Sequence, residues 1–209
     1  MGKIVDYIAE KEKMLGNPLD KEKIKKLLDD IGHKAILAIQ LAEVKRGHDP
    51  YKHGDQISKY VEKIARDLDI CEEEIKVIAY AASLHDIGKL MVNKKILLKP
   101  GKLTAPEYEE MKKHSIYGEK LLLPLSYIAK LVRHHHERWD GKGYPDGLKG
   151  EQIPLGSRII SVIDVFNAIT HERTYKKAMT KKYAIEEIEK NSGTQFDPQI
   201  VALFVKHFK

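Results

Sequence analysis

Cysteine is nearly missing from this 209-residue chain: Cys71 stands alone, which excludes an internal disulfide. No apolar run approaches the roughly 18 residues needed to span a bilayer. The N-terminal stretch "MGKIVDYIAEKEKMLGNP" lacks the apolar block of a signal peptide. These absences lead us to expect a cytoplasmic protein that does not insert in membranes. Strand-like alternation never runs beyond a few residues, and there are no repeats or low-complexity tracts, so the chain reads as all-α. What is present is 42% hydrophobic residues, enough for one sizeable core, and a net charge of +6. That charge suits a polyanionic ligand, whether nucleotide, nucleic acid or membrane surface, and does not choose among them.

Helical periodicity dominates. Ile57, Val61, Ile64 and Leu68 recur at steps of four, three and four, and His53 falls on the same inward face. "EEEIKVIAYAASLHDIG" places Ile75, Ile78, Ala82 and His85 on one face, with Cys71 at the N-cap position, acidic residues in the first turn and Gly88 after the end. "TAPEYEEMKKHSIYGEKLL" predicts one helix capped by Thr104 with Glu107 three residues on, carrying Met111, His114 and Gly118 on one side. "PLSYIAKLVRHHHE" predicts another that includes Ile128, Leu131 and His135, and "LGSRIISVIDVFNAITHER" an apolar helix with Asp164 at its centre. "GHDPY" breaks the chain and divides it into an N-terminal helical segment, 1–48, and a domain over 49–209.

His53, His85, Asp86, His114, His135, His136 and Asp164 thus lie on, or at the end of, helix faces otherwise made of Ile, Leu, Val and Ala. One inward histidine is ordinarily a satisfied core residue. Seven such groups are not, because each uncompensated burial costs a few kcal/mol and a domain is only marginally stable. Convergence on cations removes the cost. Five imidazoles and two carboxylates without cysteine suit iron, manganese, zinc, cobalt or nickel rather than calcium or magnesium. They also exceed the needs of one tetrahedral ion, so two metals bridged by Asp86 are the economical reading. A hydroxide bridging such a pair attacks phosphorus, which makes the expected reaction hydrolysis of a phosphoester.

The ordered motifs "HDIGK", "ILLKPGKLT", "MKKH", "HHERWDGKGYPDGLKGEQIPLGSRI", "DVFNAIT", "RTYKKA" and "GTQFDP" resemble the HD-GYP family, from about Asp49 to the C-terminus. That resemblance implies an HD-domain helical bundle with an added GYP-motif loop and C-terminal helices. It implies cleavage of cyclic di-GMP to pGpG or GMP with two or three divalent ions, iron first and manganese next. The partner would be the cyclic dinucleotide, not a nucleic-acid polymer or a membrane. By position the same seven residues become metal ligands, with Asp49 as a further ligand of a third ion. Lys89, with Asp86, would act at the scissile phosphate, Arg173 and Lys176 would hold phosphates, and Gly143, Tyr144 and Pro145 would shape the pocket. Glycines 141, 143 and 147 would give the backbone room to approach a ligand, and Tyr144 a ring and a hydroxyl. His134 is left as a surface or outer residue, while Glu137 and Asp140 either orient imidazoles or face solvent.

Departures from the family pattern are Asn167 in place of aspartate, His171 in place of a small residue, the shortened "DPYKH", and Val92-Asn93 in "LMVNKKIL" where Ile-Pro is usual. The last is expected to alter only a loop. Two other readings stay open: a different HD-type nucleotide phosphohydrolase, and a sensor that binds cyclic di-GMP without cutting it. The N-terminal segment either forms a homodimer contact or merely caps the core.

Overall fold

The computed structural model describes residues 53–171 and 178–209. Among them there is no strand, only an isolated bridge between Ser192 and Phe196, so the all-α expectation holds. Segment 1–48, with Asp49, Arg173 and Lys176, lies outside the described residues.

Helix α1 spans His53–Ala65 and α2 spans Glu72–Leu84. Ile57, Val61 and Ile64 of α1 pack with Ile75, Ile78 and Ala82 of α2, all buried as their spacing predicts. A 3-10 turn over Ile87–Met91 leads to the short α3, Lys94–Leu97. Here "LMVNKKIL" is more than a loop: Val92 is buried, and Asn93 caps α3 by accepting from the Lys95 N–H.

The predicted helix through His114 is two helices, α4 (Ala105–Lys112) and α5 (His114–Leu121). The Thr104 and Glu107 capping box is present, with Pro106 in the first turn. The break falls at Lys113, whose N–H donates to Glu110 in the tighter three-residue pattern. Side chains then take up carbonyls freed at the end of α4, since His114 Nδ1 donates to Met111 and Ser115 Oγ to Lys112. Likewise α6 is Ser126–Arg133, and His134, His135 and His136 form the turn after it, not its last face.

Helix α7, Leu155–Thr170, is the central element and touches α1, α2, α6, α8 (Lys181–Lys190) and α9 (Pro198–Phe208). Its Ile159, Ile160, Ile163 and Phe166 join Ile188 and Phe204 in the core, with Phe166 edge-on to Phe204 at 5.1 Å between ring centres. No described helix is long and apolar enough to cross a membrane.

Candidate metal centre

Three imidazoles arrive by the same local device. His85 caps the end of α2, His114 follows the end of α4, and His135 lies just past α6. Each points its Nδ1 at the main-chain carbonyl three residues back: Ala82 at 2.6 Å, Met111 at 2.8 Å and Val132 at 2.6 Å. A carbonyl only accepts, so each ring donates through Nδ1 and turns Nε2 inward, where a ring in its neutral form offers a lone pair. The helix ends that orphan these carbonyls therefore also set the ring orientation.

The Nε2 atoms converge. That of His114 is 3.4 Å from that of His135, and ligand atoms of His114, His135 and His136 all lie within 4.8 Å of one another. Asp86 reaches both sides, with Oδ2 3.4 Å from His85 Nε2 and Oδ1 3.6 Å from His114 Nε2. Asp164, from the middle of α7, lies 3.6 Å from His85. Lys89, one turn beyond Asp86, donates to Asp86 Oδ2 at 2.5 Å. Six of the seven expected ligands are thus brought together. The seventh, His53, starts α1, and its side chain lies outside the described residues.

Electrostatics show what the cluster can hold. Burial holds the His114 and His135 rings below their usual pKa, hence neutral. Two neutral rings with both Nδ1 protons committed then face each other through lone pairs, and a cation between such donors turns repulsion into coordination. Burial pushes His136 down to about 3. For His85, burial lowers the pKa, but Asp86 and Asp164 outweigh it and hold the ring protonated. Burial would raise Asp86, yet Lys89 and His85 keep it well below the usual carboxylate range. In the same way His85 holds Asp164 down against burial. A proton on His85 therefore balances the carboxylates when no metal does. The donor set, imidazoles around carboxylates, fits a divalent transition-metal ion.

A pH dependence follows for chelated protein. His114, His135, His136 and His134, the last pushed down to about 4 by burial, all titrate lower in the folded state than in the unfolded chain. Below about 6.5 the unfolded state takes up protons that the folded state refuses, so stability falls as pH drops. His85, raised, acts in the opposite sense, but it is one ring against four. We expect the melting temperature of chelated protein to fall steadily from pH 7 to pH 4. A flat profile contradicts this placement of the rings.

The GYP loop is pinned beside the cluster. Glu137, only 2% exposed, accepts from the N–H groups of Asp146 and Leu148. It braces the loop and does not orient an imidazole. Asp140 orients no imidazole, its partly exposed carboxylate accepting from Arg138 and the Lys142 N–H. His134 is no surface bystander: it is buried, with Nε2 3.3 Å from Asp146. Arg133 grips both Asp146 oxygens and also Glu119. Tyr144 is joined to Pro145 by a cis peptide bond and lays its ring on His136, centres 4.8 Å apart. Gly143 serves packing more than ligand approach, since a Cβ there would meet the Arg138 nitrogen at 2.3 Å. Glycines 141 and 147 hold positive φ of 81° and 67°, as the loop's turns require.

Sequence reasoning missed the loop's rear anchor. The Trp139 and Asp140 N–H groups donate to Gln195 and Thr194 of "GTQFDP", and Arg158 pairs with the buried Asp197 beneath Trp139. The motif had been visible, but only as part of the family resemblance.

A family model for the HD domain matches residues 37–200. The chain belongs to the HD domain family. This HD-domain chain is 43% identical over 152 residues to the cyclic di-GMP phosphodiesterase response regulator RpfG of Xanthomonas campestris, covering 70% of this chain and 40% of the relative. It is 36% identical over 183 residues to a cyclic di-GMP phosphodiesterase of Thermotoga maritima, covering 85% and 50%. A Vibrio cholerae relative named 3′3′-cGAMP-specific phosphodiesterase 2 is 38% identical over 168 residues, covering 78% and 32%. The chain thus spans half or less of the length of these relatives. Two solved structures share the fold. One is an HDG"Y"P protein from Bdellovibrio bacteriovorus, at a TM-score of 0.63 and 17% identity over 94% of this chain and 67% of that one. The other is a cyclic GMP-AMP specific phosphodiesterase of V. cholerae, at 0.60 and 22% over 77% and 44%.

Proposed function

We propose that this protein hydrolyses the phosphodiester bonds of cyclic di-GMP, yielding pGpG or GMP. The observation that carries this reading is Asp86, whose two oxygens address imidazoles on opposite sides of the cluster. The names of the relatives support the substrate class. His85, Asp86, His114, His135, His136 and Asp164 would hold two ions, and His53 and Asp49 would complete two or three. Bound ions, iron first and manganese next, would lower the pKa of water and draw charge from the phosphoryl oxygens.

The chain's own groups supply the rest. Lys89 Nζ, held at Asp86, places a positive charge where the scissile phosphate enters. Tyr144 and the braced loop shield the His136 side of the centre from water. Arg173 would grip a phosphate at two points and Lys176 at one. Arg173→Ala is expected to raise KM about tenfold or more with metal content intact; loss of metal would show that its role is misassigned.

A 3′3′-cGAMP preference is a second reading, favoured by the names of several V. cholerae relatives. The deciding experiment is anaerobic purification with elemental analysis, then chromatography of products from cyclic di-GMP, 3′3′-cGAMP and mononucleotides. Turnover of mononucleotides alone would sink the proposal. Binding of cyclic di-GMP without product would instead make the protein a sensor, with buried Asn167, whose Oδ1 finds no partner among the described residues, as the place to look.

A further inference from the structure

One feature of α4 is unused by the metal centre. Lys112 extends from the last turn of α4 until its ammonium lies 5.6 Å from the centre of the Tyr144 ring, the ring that rests on His136. It also lies 5.5 Å from the centre of the Tyr108 ring, one turn earlier on the same helix. Tyr108 is 51% exposed, a large ring with one flank in solvent beside the loop. Glu107 and Glu110 of α4 are paired with Lys99 and Lys113. Lys112 is paired with Glu109, whose side chain is 66% exposed. An ion pair so wet contributes little, and a phosphate displaces it readily.

A cyclic dinucleotide carries two phosphates on one ring with a base beside each. Cutting one ester at the metal cluster leaves the other phosphate and its base to be held away from the ions. An ammonium flanked by two aromatic rings, joined to the cluster through Tyr144, has the chemistry for that: charge for the phosphate and a π-face for the base. We infer that Lys112 and Tyr108 bind the half of the substrate that is not being cut, Lys112 at the second phosphate and Tyr108 stacked on a base. The inference rests on the cyclic-dinucleotide reading above and names binding residues for it; the chemistry stays with the metal cluster.

The test compares two substrates on the metal-loaded full chain: cyclic di-GMP, and bis(p-nitrophenyl) phosphate, a diester with no second phosphate and no base. Lys112→Ala is expected to lower kcat/KM on cyclic di-GMP about ten- to a hundredfold, mainly through KM, and at least about tenfold more than on the small diester. Lys112→Arg should recover most of that loss. Tyr108→Ala should cost about tenfold on the same substrate, and Tyr108→Phe, which keeps the ring, should restore it. Equal losses on both substrates would show that Lys112 only steadies Tyr144, and no loss on either would remove it from the cleft; both overturn the inference. If the unmodified protein cleaves the small diester but not cyclic di-GMP, the phosphodiesterase reading fails by itself. Calorimetry with cyclic di-GMP then judges Lys112 alone: weaker binding by Lys112→Ala sustains the inference, and unchanged binding overturns it.

Discussion

Replacing Asp86 with alanine is expected to abolish cyclic di-GMP hydrolysis, by about a thousandfold or more, and to strip metal from the purified protein. The size of the effect follows from the number of partners that one carboxylate serves. Its oxygens address His85 and His114, rings from different helices, and it receives Lys89 as well. Without it, His85 keeps Asp164 as its one counter-charge among the described residues, and Lys89 loses the group that holds it at the centre. His85→Ala should fail in the same two assays, because it removes an inward Nε2 beside both carboxylates. Activity assay and elemental analysis on the same preparation are needed together. Full activity in either variant would refute the site. Asp86→Asn is the instructive intermediate, since it keeps the shape, loses the charge and should retain a fraction of the metal.

Gly88→Ala is expected to produce the largest loss of stability among small substitutions near the site. A Cβ at this position would stand 1.8 Å from the His114 carbonyl oxygen and 2.4 Å from the Gly118 nitrogen, both main-chain atoms that cannot rotate away. Helix α5 must then retreat, and His114 retreats with it. Forced overpacking against backbone should cost at least about 3 kcal/mol, or roughly 6 to 12 °C in melting temperature for a chain of this size. Metal content should fall alongside. A variant that melts within about 2 °C of the parent and keeps its metal would show that the two helices separate at little cost. The periodicity of α2 predicts Gly88 as the residue after a helix end, but the helix stops at Leu84 and the glycine lies inside the 3-10 turn. Its task is close approach to α5, not termination.

Gly88 illustrates what was legible in the sequence. The inward polar residues stood out because His85, His114 and Asp164 interrupt apolar faces, and such interruptions survive small errors in helix boundaries. The boundaries themselves did not stand out. Apolar spacing runs on through Lys113 and past Arg133, whereas the breaks depend on side chains of His114, Ser115 and His135 taking main-chain carbonyls, a choice that periodicity does not record. Glu137 was left between two roles and took a third, because its partners are N–H groups nine and eleven residues ahead. The clamp of Arg133 on Asp146 and the tie from Trp139 to Gln195 are set by tertiary folding and carry no local signal.

The carbonyls behind His85, His114 and His135 belong to the main chain. Mutation can exchange the side chains of Ala82, Met111 and Val132 without removing the oxygen that fixes each ring. The orientation of these three imidazoles is therefore insulated from sequence drift around them, and distant relatives can replace the residues behind the centre while presenting the same nitrogen to it.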